Sequence, residues 1–118
     1  MPPTEAELAA LETRLAAILD PYRDRLEPID VYGQPFLRLP GANKHQWFAG
    51  VSRGKGVVRF SLLPMHQHPE LLDGVSPALR KRKTGASLFT FAAIDDAQIA
   101  ELAALVERAW DRYGSEHR

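Results

Sequence analysis

The chain has 118 residues, which suits one domain spanning 1–118 and leaves no room for a second. Apolar residues make up 45% and charged residues 25%, so a disordered polar chain is excluded, and the absence of cysteine excludes disulfides, thiolate metal sites and cysteine nucleophiles. Fifteen acidic residues balance fifteen basic ones, but unevenly: residues 1–30 hold seven acids against three bases, residues 31–94 nine bases against two acids, and residues 95–113 five acids against two bases.

Acidic ends flanking a basic middle are therefore expected. Overall neutrality argues against a dedicated nucleic-acid binder, whose affinity comes from neutralising phosphates. No apolar run approaches the roughly 18 residues of a membrane span. Glu5 and Glu7 stand where a secretory leader would carry positive charge, so no leader is expected and the cytoplasm is the expected location.

Thr4 and Glu7 have the spacing of a capping box, and Leu8, Leu11, Leu15, Ile18 and Leu19 follow at helical period. The spacing predicts a helix over about 5–19. Pro21 interrupts it, and a further turn carries Tyr22 and Leu26. The period then falls to two. Gly33, Pro35, Pro40, Gly41, Gly54 and Gly56 divide short alternating segments, and Arg53-Gly54-Lys55-Gly56 reads as a hairpin turn. Alternation places Trp47, Ala49 and Val51 on one face and Phe48, Gly50 and Ser52 on the other, while Val58, Phe60 and Leu62 alternate with Arg59 and Ser61.

From Met65 to Thr84 the prolines and Gly74 predict a loop with short helices, one capped by Ser76 before Pro77. Leu88 to Phe91 reads as a last strand. Asp95 and Gln98 open a final helix whose apolar face carries Ile99, Leu102, Val106, Ala109, Trp110 and Tyr113, with Gly114 placed to stop it. Two long amphipathic helices need cover, and a meander has one apolar face to offer. The expected architecture is α+β: an antiparallel meander with the N- and C-terminal helices packed on one face, the other left open with Arg59, Ser61 and Thr90.

The runs Phe48-Ala49-Gly50-Val51, Val58-Arg59-Phe60-Ser61-Leu62, Leu71 to Leu79 and Gly85-Ala86-Ser87-Leu88-Phe89-Thr90-Phe91 resemble the YdhG-like bacterial family, most specifically over Pro69 to Phe91. This is largely a family of unknown function, with some members described as frataxin-like intracellular iron chaperones. The resemblance implies a helix–antiparallel sheet–helix fold and opens the possibility of an iron-related role.

Three clusters are candidates for chemistry. Arg80-Lys81-Arg82-Lys83 precedes Thr84-Gly85-Ala86-Ser87, and bases beside hydroxyls at a glycine turn suit an anion. Together with the open face this gives an expected site for a small anionic ligand or an acidic protein surface, formed by Arg59, Arg80, Lys81, Thr84, Ser87 and Thr90. His66, His68, Glu70 and Asp73 have donors that suit iron or another divalent metal, if the histidines share an extended segment and point one way. Glu5, Glu12, Asp20, Asp24 and Glu27 form a second carboxylate surface for iron, interrupted by arginines in the manner of an ordinary solvated helix face. No Gly-x-Ser-x-Gly, His-Glu-x-x-His or dinucleotide fingerprint occurs, so a binding protein is expected rather than an enzyme, as monomer or homodimer. Its alternatives are an iron chaperone and a ligand-free interaction module.

Overall fold

The computed structural model describes residues 3–31, 34–40 and 47–116. Helix α1 runs Glu5–Leu19 and begins on the expected capping box: the Glu7 amide donates to Thr4 Oγ1 at 3.1 Å and the Thr4 amide to Glu7 Oε1 at 3.3 Å. Its five predicted apolar positions are all buried. Pro21 ends the α-helical ladder, and a 3-10 turn at Asp20–Arg25 carries the chain into the sheet.

Six antiparallel strands follow in spatial order β1-β2-β3-β4-β6-β5: β1 Glu27–Val31, β2 Gln34–Arg38, β3 Trp47–Gly54, β4 Val57–Leu62, β5 Lys83–Gly85 and β6 Leu88–Phe91. The β3–β4 hairpin turns at Lys55–Gly56, where Gly56 takes φ +71° without the strain a Cβ would bring. The other glycine breaks expected in this half of the chain, Gly33 and Gly41, lie outside the described residues.

Short helices α2 (Pro64–Gln67) and α3 (Pro77–Arg80) link β4 to β5, and α4 (Asp96–Glu116) closes the chain. Helix α1 lies across β3 and β4 and against α4, so both long helices share one side of the sheet, as expected. Val58, Phe60 and Leu62 of β4, and Phe89 and Phe91 of β6, are fully buried beneath them. Ion pairs tie the layers together. Arg53 of β3 reaches Glu5 at 2.9 Å and Glu12 at 3.2 Å on α1, and Arg14 of α1 pairs with Asp96 of α4. The linker is held to α4 by Glu101, which accepts from the Ser76 amide at 2.7 Å and the Ser76 hydroxyl at 2.6 Å.

In three places the structure departs from the sequence expectation. First, β2 meets β3 at Leu37↔Ala49 and Arg38↔Trp47, so two steps along β3 oppose one along β2. This bulge inverts the phase of the first β3 residues. Phe48 turns into the core, its ring 5.3 Å from Trp110 and 5.2 Å from Tyr113, and Trp47 leaves it to stack on Phe36 at 4.3 Å. Second, Gly114 does not stop α4: it is buried, remains helical, and the helix runs on to Glu116. Third, Lys83–Gly85 is a strand and not a loop, because the edge of β6 offers backbone partners that local composition does not reveal.

A candidate anion-binding face

The side of the sheet away from the helices carries the residues that alternate with the buried ones. Ser52↔Arg59 and Arg59↔Thr90 are register partners across β3, β4 and β6. Thr84, bulged between the paired positions Lys83 and Gly85, brings its hydroxyl 2.7 Å from that of Thr90. The Thr90 amide donates to the Arg82 carbonyl at 2.7 Å, which places Arg82 opposite Thr90 just before β5 begins. One row therefore crosses four strands with two arginines and three hydroxyls.

Arg59 lies flat against the sheet, its guanidinium over Gly54, two residues along β3 from Ser52. A Cβ at Gly54 would fall 2.5 Å from Arg59 Nη1, so the missing side chain at 54 gives the guanidinium room against β3. Among the described residues neither Arg59 nor Arg82 has an acidic partner. The contrast with the other side is sharp, since Arg14, Arg23, Arg53 and Arg112 are each paired with a carboxylate. Tertiary folding thus splits the basic middle, pairing Arg53 with α1 and leaving Arg59 and Arg82 on the open side. The acids of α1 and α4 lie on the helix side, and the row on the open side presents cations with none of its own acids.

Part of that open side is covered. The Gly50 position faces β2 so closely that a Cβ would meet the Pro35 carbonyl oxygen at 2.5 Å and the Phe36 ring at 2.6 Å. Ser61, the register partner of Gly50, is buried. The β1–β2 hairpin with its Phe36–Trp47 stack closes this half, and the Ser52–Arg59–Thr90–Thr84 half remains.

Of the six residues expected to bind an anion, the structure puts Arg59, Thr84 and Thr90 on one face, the two threonine hydroxyls in contact and the Arg59 guanidinium turned toward β3. Arg80 is elsewhere: its guanidinium folds back to the carbonyls of Val75 and Leu72, where it holds the linker. Lys81 caps the end of α3 and is exposed. Ser87 lies in the β5–β6 turn, its carbonyl accepting from the Leu62 amide at 2.8 Å, which sets it opposite a core residue. Sequence reasoning passed over Ser52 and the outward role of Arg82. The signal for Arg82 was the two-residue spacing to Thr84, legible only once Lys83–Gly85 is known to be a strand.

The candidate metal cluster takes a different form from the extended one expected. Pro64 at the first helical position nucleates α2 through His66, and a 3-10 turn at Pro69–Leu72 follows, so His66 and His68 do not share a strand-like segment. His66 is exposed. His68 Nδ1 lies 3.5 Å from Glu70, and the Arg112 guanidinium donates to the same carboxylate at 3.0 Å. The Glu70 carboxyl is held below the usual range, first by its own backbone N–H, with burial opposing as the next effect and Arg112 and His68 adding smaller lowering ones. A cation approaching Glu70 meets the Arg112 charge. Among the described residues no three metal-ligating side chains converge.

No helix is long and apolar enough to cross a membrane among the described residues. No family model, no curated protein and no solved structure matches this chain.

Proposed function

We propose that this protein is a binding protein, not an enzyme, which holds an anionic group against the uncovered half of its sheet. The observation that carries the reading is Arg59, laid along the sheet over Gly54, flanked in register by Ser52 and Thr90 and lacking a carboxylate partner among the described residues. A guanidinium and a set of hydroxyls bind oxyanions through charge-assisted hydrogen bonds. They move no proton near neutrality, which favours binding over acid–base catalysis. The ligand is a small phosphate- or carboxylate-bearing molecule, or an acidic side-chain cluster on a partner protein. Both present the same chemistry to the row.

The test is amide NMR at low ionic strength with inorganic phosphate, citrate and an oligo-glutamate peptide as separate probes. Shifts are expected at Ser52, Arg59, Thr84 and Thr90, and should vanish in Arg59→Ala. Strong shifts with the peptide alone assign the row to a protein partner; shifts with phosphate or citrate assign it to a small molecule. Shifts shared equally by exposed cations of the helix side such as Arg25 and Arg108, or none at all, would remove the proposal.

A further inference from the structure

The helix side of the sheet holds a second feature, independent of the row just described. A cleft of about 360 Å³ opens between α1 and the β1–β2 hairpin. Its origin is in the strand register. The β2–β3 ladder ends at Leu37↔Ala49, whereas β3 continues beside β4 as far as Gly54↔Val57. Pro35 has no N–H to extend the β2 ladder, and at Gly50 the β2 chain crosses on the side away from α1. The hairpin therefore peels off the sheet, and the edge of α1 is left without a strand beneath it. Ala16 and Leu19 of α1, Leu37 of β2 and Val51 of β3 wall the gap with apolar carbon. The volume falls in the ordinary range of small-molecule sites, and such sites are mostly apolar with few polar groups.

The charge at the rim selects the ligand. Glu12 lines the cleft and accepts from Arg53 through Oε1, while Arg53 is also engaged by Glu5. Two carboxylates on one guanidinium leave a net negative charge, with Glu12 Oε2 making no bond among the described residues. At the other end the charge of Arg23 is balanced by Asp20, to which it donates at 2.8 Å, and it also donates to the Ala16 carbonyl at 3.4 Å. The excess charge at the mouth is therefore the negative one shared by Glu5 and Glu12 over Arg53, which favours a cation. We infer that the cleft between α1 and the β1–β2 hairpin binds a small apolar molecule bearing an ammonium group, its body between Ala16 and Val51 and its head on Glu12.

Two probes of matching shape and opposite charge test this: phenethylamine and phenylpropionate, titrated into the full chain to about 10 mM, a range that detects weak binding. Phenethylamine should shift the Ala16, Leu37 and Val51 amides and give nuclear Overhauser contacts from its ring to the Leu37 and Val51 methyl groups. Glu12→Gln should weaken it roughly tenfold, as expected on losing one charge-assisted contact. Ala16→Leu should fill the gap and abolish binding with the helical circular dichroism unchanged. The inference is overturned if neither probe contacts the Leu37 and Val51 methyls in the native protein, if the acid binds as well as the amine, or if Glu12→Gln leaves the affinity of the amine unchanged. Because the Arg59 row faces the other side, failure here leaves the anion proposal standing, and the reverse holds.

Discussion

Phe48→Ala and Trp47→Ala together put the β3 bulge to the sharpest test. Phe48 is fully buried, with its ring 5.3 Å from Trp110 at 78°, 5.2 Å from Tyr113 and 5.9 Å from Tyr22. Truncating a buried phenylalanine costs about 3–5 kcal/mol, and an edge-to-face partner adds about 0.5–1.5 kcal/mol to an aromatic contact. The upper half of that range, about 4–5 kcal/mol, is expected, because one ring joins the 3-10 turn, β3 and α4. Against a total stability of about 5–15 kcal/mol the variant sits near its folding limit. Trp47 is half-buried and, among the described residues, stacks on Phe36 alone, so its removal should cost only about 1–2 kcal/mol. Urea unfolding followed by far-ultraviolet circular dichroism measures both, provided the slope with denaturant stays unchanged. If Trp47→Ala is the more damaging of the two, strict alternation holds along β3, and Trp47 rather than Phe48 faces the core.

Three other outcomes follow from particular contacts. Gly50→Ala should destabilise by about 1–3 kcal/mol in the same urea assay, since its Cβ would press on the Pro35 backbone, whereas Gly54→Ala meets only the mobile end of Arg59 and should cost far less. Glu101→Ala removes two hydrogen bonds to Ser76 and should cost about 2–3 kcal/mol, read as a lower unfolding midpoint; no change would show the linker to be held elsewhere. The Glu70 carboxyl, lowered by its own backbone N–H, Arg112 and His68, should titrate by carbon NMR below the ordinary value of about 4.3 and rise toward it in Arg112→Ala. Its folded pKa being depressed, whatever stability it contributes is present above the unfolded pKa and fades as pH falls through the folded one.

Both long helices were legible in the sequence because their signals are local. Capping boxes lie within four residues of the helices they start, and apolar stripes at helical period need only one covering surface to be satisfied. The hairpin at Lys55–Gly56 was legible for the same reason, a glycine taking a left-handed turn. Arg59 and Thr90 were placed on the open face by period two alone.

What tertiary structure decided lies where one strand's phase depends on another. A bulge is a mismatch between two strands, so nothing within residues 47–54 shows that Phe48 and Trp47 exchange faces. The strand at Lys83–Gly85 exists because β6 has an unpaired edge to satisfy, and only that pairing sets Thr84 beside Thr90 while Arg80 stays on the linker. The fate of the basic middle has the same origin: sequence groups its bases together, but strand register sends Arg53 to the carboxylates of α1 and leaves Arg59 and Arg82 on the open face.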